Sequence, residues 1–227
     1  MRSLLAVDAG DEPAIAAALA SEADALALDA GADGRAAAVR LLAGGRWPRA
    51  VFVRVSPFSS GETDRDLDAV MPHAPAAVLL PGCAAGADVQ RLAAKLALRE
   101  AEHGLADGAT GIVAMIDAAE ALMTMASFRN ASPRLVALAW DAEALRADLG
   151  AEALCDETSA YAGALRLARD LTLAAAAAAR VAAIDTGAAL DAAALRAQAR
   201  AARRDGFAAG VARDAAQAAI LNAVFGK

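Results

Sequence analysis

The chain has 227 residues, 58% of them hydrophobic and 22% charged, with a formal net charge of −6. This composition can bury a sizeable core and is not that of a disordered chain. The acidic balance argues against nucleic acid or an anionic membrane as a partner, and the two cysteines, Cys83 and Cys155, form neither a disulfide framework nor a metal-binding spacing.

The opening MRSLLAVDAG has an apolar run that meets Asp8 too early for a signal-peptide core. It reads as a strand at 3–7, followed by a helix at 12–21. A second strand, 25–28, runs directly into Asp29 and a Gly-rich turn before a helix at 34–42. A third strand is expected at 50–55. The segment PFSSGETD after it reads as a flexible loop, and His73, between Pro72 and Pro75, as part of a connection. Then come a strand at 77–80, a helix at 87–103, a strand at 111–116, a helix at 118–128, a strand at 135–139 and helices at 142–149 and 159–180. The chain closes with a strand at 182–184, a helix at 191–205, a strand at 209–212 and a helix at 215–224. Asp141 and Asp191 stand where N-caps belong, and Gly104, Gly150 and Gly206 where helices stop. His103, just before Gly104, suits a helix C-terminus. The most apolar helical run, 171–179, is nine residues, against the ~20 that a membrane span needs. A cytoplasmic protein is expected.

Strands that are apolar throughout suit a parallel sheet covered by helices, and repeated strand–helix units predict an α/β fold. Eight units in this length point to one domain over 1–227, a (β/α)8 TIM barrel, with an open doubly wound sheet as the alternative. The last helix would pack on its own barrel or on a neighbouring subunit. In either fold, chemistry gathers at the C-terminal ends of the strands. Those ends carry Asp8, Asp29, Arg54 with Ser56, Pro81-Gly82, Asp117, Asp141 with Glu143, and Asp185. Carboxylates facing an arginine suit a hard divalent cation and an anionic oxygen substrate. The competing reading is that each acid caps the helix after it; for Asp29, that is the turn before Gly34. Trp140 reads as a core or rim aromatic. Neither histidine falls at a strand end, so neither is expected to act as a general base.

The motifs RSLLAV (2–7), ADALALD (23–29), VRVSP (53–57), LLP (79–81), MIDAAEAL (115–122), SPRLVALAW (132–140), ADLG (147–150), AAIDT (182–186) and GF (206–207) occur in order along the whole chain. Together they resemble the citrate lyase beta-subunit-like proteins of the HpcH/HpaI aldolase superfamily. The resemblance implies a TIM barrel assembled as a homo-oligomer, trimer or hexamer, and a magnesium-assisted carbon–carbon lyase or aldolase acting on small carboxylates or coenzyme A thioesters. It implies that Arg54 binds a substrate carboxylate or carbonyl oxygen, with Asp29 in the catalytic group. The metal-binding glutamate of the family corresponds to Asp117. The family's second metal carboxylate corresponds to Ala144, leaving Asp141 and Glu143 as nearby substitutes for holding Mg²⁺. The family's VRVN asparagine is Ser56, its LPK lysine is Gly82, and its GKxAIHPxQ coenzyme motif reads GVARDAAQ, with Gly210 for the lysine and only Gln217 retained. These losses weigh against a coenzyme A thioester and favour a small 2-oxo or hydroxy acid. The alternative is a catalytically degenerate member serving as an oligomeric binding or structural protein.

Overall fold

The structure, a computed structural model, describes residues 1–44, 47–155, 161–186 and 191–226. Its order is β1 (Ser3–Val7), α1 (Glu12–Ala20), β2 (Ala25–Asp29), α2 (Arg35–Ala43), β3 (Ala50–Arg54), α3 (Thr63–Val70), β4 (Ala77–Leu80), α4 (Gly86–Glu102), β5 (Gly111–Ile116) and α5 (Ala119–Met123). Then come β6 (Leu135–Asp141), α6 (Ala142–Asp148), α7 (Gly163–Ala179), β7 (Ala182–Thr186), α8 (Ala192–Asp205), β8 (Ala209–Ala212) and α9 (Ala215–Phe225). All eight strands run parallel, each beside the next, and β8 returns to β1 to close a (β/α)8 barrel. The closed ring rules out the open doubly wound sheet.

Alternate residues of each strand enter two different cores, as the pleat requires. Leu4, Ala25, Ala27, Leu79, Met115, Ala137, Ala139 and Ile184 pack inside the barrel. Their neighbours Leu5, Leu26, Val53, Leu80, Ile116 and Leu138 face the helices. The inner set is rich in alanine, so the interior is loosely filled towards its mouth. Most apolar burial lies in the outer layer, where fully burying one Leu or Ile contributes about 1.5–3 kcal/mol.

Helix boundaries follow local chemistry. Asp11, Asp141, Asp191 and Asp214 each cap a helix by accepting backbone N–H groups of its first turn. Gly104, Gly150 and Gly206 take positive φ at helix ends, as expected. The expected helix at 118–128 breaks into α5 and a 3-10 turn at Met125–Phe128. Thr124 intervenes, its hydroxyl donating to the Ala84 carbonyl instead of continuing the helix. Of the expected helix at 159–180, residues 159 and 160 lie outside the described residues.

The largest correction is α3, in a stretch expected to be a loop and connection. Its apolar residues Leu67 and Val70, with Met71 just past its end, are fully buried, while its other face is almost entirely acidic or basic. Asp66 is also fully buried. It accepts from the Ser56 N–H at 2.7 Å and from Arg35 Nε at 2.6 Å, and Thr63 donates to the Ser56 carbonyl at 3.0 Å. Helix α3 thus holds both backbone groups of the residue two beyond Arg54.

Along the side of the barrel, α9 buries Ala218, Leu221 and Val224 against its own β1 and β8. Asn222 accepts from the buried Ser3 hydroxyl at 2.7 Å and donates to the Glu22 carbonyl. Just before β6, buried Arg134 forks onto Glu100 at 2.8 and 2.6 Å. Among the described residues no helix is long and apolar enough to cross a membrane.

Candidate active site

Continuing each strand's inward alternation by one position past the hydrophobic interior gives Asp8, Asp29, Arg54, Pro81, Asp117, Asp141, Thr186 and Arg213. These residues form a ring at the C-terminal mouth of the barrel. A cavity of about 750 Å³ opens there, and Asp8, Asp29, Asp33, Arg54, Asp141, Thr186 and Arg213 line its rim. Leu4, Ala27, Met115 and Ala139 form its floor.

Asp29 and Arg54 are register partners on β2 and β3, and Arg54 Nη1 donates to Asp29 Oδ2 at 3.0 Å. The other Asp29 oxygen accepts from the Gly31 N–H at 2.9 Å. The tight turn that follows depends on glycine, because a Cβ on Gly34 would lie 2.4 Å from the Asp29 carbonyl oxygen. Asp29 therefore organises the turn through one carboxylate oxygen and meets Arg54 at the cavity through the other.

Asp117 and Asp141 follow the paired ends of β5 and β6, one step beyond the Ile116–Trp140 partnership. The Gly82 N–H lies 2.9 and 3.0 Å from the two Asp117 oxygens. Gly82 has φ +62 and its Cβ would sit 3.1 Å from Pro57, so glycine at the position of the family's lysine serves as a backbone clamp. Burial raises the Asp117 pKa above the ordinary 3.8. The charge of Asp141 adds to this, while the Gly82 N–H and Arg54 oppose it. Asp141 Oδ1 caps α6 by accepting from the Glu143 and Ala144 N–H groups, both at 3.1 Å; Oδ2 makes no hydrogen bond among the described residues.

Not every strand-end candidate reaches the site. Glu143 does not line the cavity; it is half exposed on the first turn of α6 and bonds Arg146 at 3.4 Å. The ~100° turn per residue directs it away from Asp141. Asp185 points outwards and is almost fully buried. It accepts from Trp140 Nε1 at 2.6 Å and lies 3.6 Å from Arg169, in the helix layer. Trp140 is fully buried there, edge-on to Tyr161 with ring centroids 5.0 Å apart. On β7 the inward group is Thr186. Arg213 was missed as a site residue; its signal was the alternation Ala209, Val211, Arg213 at the end of β8.

Asp117 and Asp141 are the adjacent carboxylates able to offer oxygens to a hard cation. Among the described residues no group of three His, Cys, Asp or Glu side chains is placed to hold a metal ion.

The family described as HpcH/HpaI aldolase/citrate lyase matches residues 13–215. The chain belongs to this family. Family membership accords with the closed barrel, and solved structures agree. The citrate lyase beta subunit from Mycobacterium tuberculosis is 26% identical, with a TM-score of 0.83, covering 100% of this chain and 97% of that one. The same organism's citrate lyase beta subunit complexed with oxaloacetate and magnesium is 27% identical, with a TM-score of 0.82 and coverage of 99% and 96%. RipC from Yersinia pestis, 23% identical with a TM-score of 0.78 and coverage of 99% and 94%, shares the fold. No curated protein matches this sequence. The chain is thus a citrate lyase beta-subunit-like member of an aldolase and lyase family.

Proposed function

We propose that this family member breaks or forms a carbon–carbon bond in a small 2-oxo or hydroxy carboxylate, with Mg²⁺ held by Asp117 and Asp141. The observation that carries the reading is the gathering of Arg54, Asp29 and Asp141 on one cavity, with Asp117 adjoining Asp141. A magnesium site commonly uses one or two carboxylates and leaves the rest of the shell to water and substrate oxygens. Two adjoining carboxylates whose charges oppose each other, one with an uncommitted oxygen, suit such an ion. The magnesium in the related citrate lyase beta subunit structure supports the same choice.

In this reading, Arg54 binds the carboxylate or carbonyl oxygen of the substrate through its planar fork. Asp29 orients Arg54 and accepts the proton of the substrate hydroxyl as the adjacent carbon–carbon bond breaks. The carbon bearing that hydroxyl becomes a carbonyl. The electron pair of the broken bond passes to the departing fragment as an enolate, which water then protonates. When bound, a divalent cation supplies positive charge for the oxygen on which negative charge develops. A free small acid is favoured over a coenzyme A thioester, because Gly210 and Asp214 stand where the family's coenzyme motif carries lysine and histidine.

A second reading, a barrel retained for binding or assembly without catalysis, is favoured by Ala144 and by the lack of a third ligand among the described residues. One experiment separates the two. Metal-stripped protein is titrated with Mn²⁺, with and without oxalate, and free Mn²⁺ is followed by electron paramagnetic resonance. Saturable binding that oxalate tightens, and that Asp117→Ala abolishes, supports the lyase. No binding at millimolar Mn²⁺ removes the metal-dependent reading and leaves the scaffold.

A further inference from the structure

Two arginines line the cavity, and they differ in what holds them. Arg54 is bonded to Asp29. Arg213 makes no side-chain hydrogen bond or ion pair among the described residues. Its backbone is nevertheless fixed. The Arg213 N–H donates to Gln217 Oε1 at 3.0 Å, and Asp214 accepts from the Gln217 N–H at 2.8 Å. The start of α9 thus braces the residue while its guanidinium stays available. The two arginines stand at the ends of β8 and β3, with the ends of β1 and β2 between them, so they approach a bound molecule from different sides.

We propose that Arg213 is a specificity-determining residue that takes a second, free carboxylate of the substrate, so that this barrel selects short dicarboxylates over monocarboxylates. The proposal rests on the reading of the cavity as a carboxylate site centred on Arg54. A small ligand held by Arg54 has one negative group engaged, and an uncommitted guanidinium across the same cavity is the natural partner for another. The rim acids oppose a dianion, but unequally. Asp29 is paired with Arg54, Asp8 Oδ1 accepts from the Gly10 N–H at 2.8 Å, and a divalent cation would offset Asp117 and Asp141, which leaves Asp33 as the rim acid without a partner among the described residues. A charge-assisted fork on a carboxylate is about twice as strong as a neutral hydrogen bond, enough to set a preference.

The test uses size-matched pairs that differ in one carboxylate: malate against 2-hydroxybutyrate, and 2-oxoglutarate against 2-oxopentanoate. Binding to the full chain is measured by titration calorimetry in Mg²⁺. The wild type is expected to prefer each dicarboxylate by about tenfold or more, the scale of one charge-assisted contact. Arg213→Gln should bring that ratio close to one, and Arg213→Lys should leave an intermediate ratio. Arg54→Gln should weaken both members of each pair. No preference in the wild type, or an Arg213→Gln loss shared equally by both members, overturns the role of Arg213 while leaving the carboxylate site standing. Failure of all four ligands to bind the wild type overturns the role and the site reading together.

Discussion

Replacing Asp66 with alanine should destabilise the barrel and disturb the exit of β3, far beyond what a charged residue on a short helix suggests. Asp66 is fully buried and accepts two short hydrogen bonds, 2.7 Å from the Ser56 N–H and 2.6 Å from Arg35 Nε. Its loss leaves the buried Ser56 N–H without an acceptor, a penalty of about 1–3 kcal/mol. Breaking a fully buried ion pair costs about 3–5 kcal/mol. Arg35 keeps 23% of its side chain exposed and retains Glu62 at 2.8 Å, so its share falls below that range. The expected total is about 3–4 kcal/mol. A chain of this size loses about 2–4 °C per kcal/mol, so Tm should fall by roughly 6–16 °C. Asp66→Asn retains an acceptor for Ser56 and should lose about half as much. Thermal and urea unfolding followed by circular dichroism measure both variants, and a cycle with Arg35→Met isolates the pair. An Asp66→Ala loss below about 1 kcal/mol would refute the assignment of α3 as the brace of the Arg54 strand, since so small a loss is typical of a surface change.

Two other outcomes follow from the ionisable groups. Asp117 binds its proton more tightly in the folded protein than an ordinary aspartate, so its contribution to stability falls as pH rises from 3.8 through its raised folded value. Asp117→Asn should therefore unfold at higher temperature than the wild type at pH 7 while losing its Mn²⁺ response; equal Tm values would contradict the burial of that charge. At the opposite end of the barrel, burial alone would raise the Glu100 pKa, but Arg134 and the N–H groups of Thr110 and Gly108 outweigh it and leave the carboxyl below 4.5. The stability this gives is present above 4.5 and is lost as pH falls through the folded value. In Arg134→Met the acid-unfolding midpoint should move to higher pH, and breaking the pair should cost about 3–5 kcal/mol; an unchanged acid limb would exclude the pair as its source.

Strand positions were legible because parallel strands are buried on both faces and read as short, wholly apolar runs. That same burial hid which residue of an adjacent pair faces inwards. In AAIDT, small or apolar side chains occupy both faces, so no period-two pattern separates Asp185 from Thr186. Helix α3 escaped notice because its two apolar anchors lie among charges. One of those charges, Asp66, is buried only because Ser56 and Arg35 arrive from elsewhere in the chain. Arg54, Asp29, Asp117 and Asp141 could be located from strand ends and family motifs. Arg213 could not be found from the motif, since it stands within a segment whose family pattern has eroded; its parity on β8 was the available signal.

The alanines of the inner sheet carry a further consequence. Ala27 and Ala139 form part of the cavity floor, beside Leu4 and Met115, and belong to strands rather than loops, so part of the depth available to a bound molecule is set by two methyl groups. Lengthening either side chain by one or two carbons would raise that floor while every charged group at the rim kept its place. In this barrel the depth of the cavity and the charges at its rim are set by different layers, and the first can drift without the second.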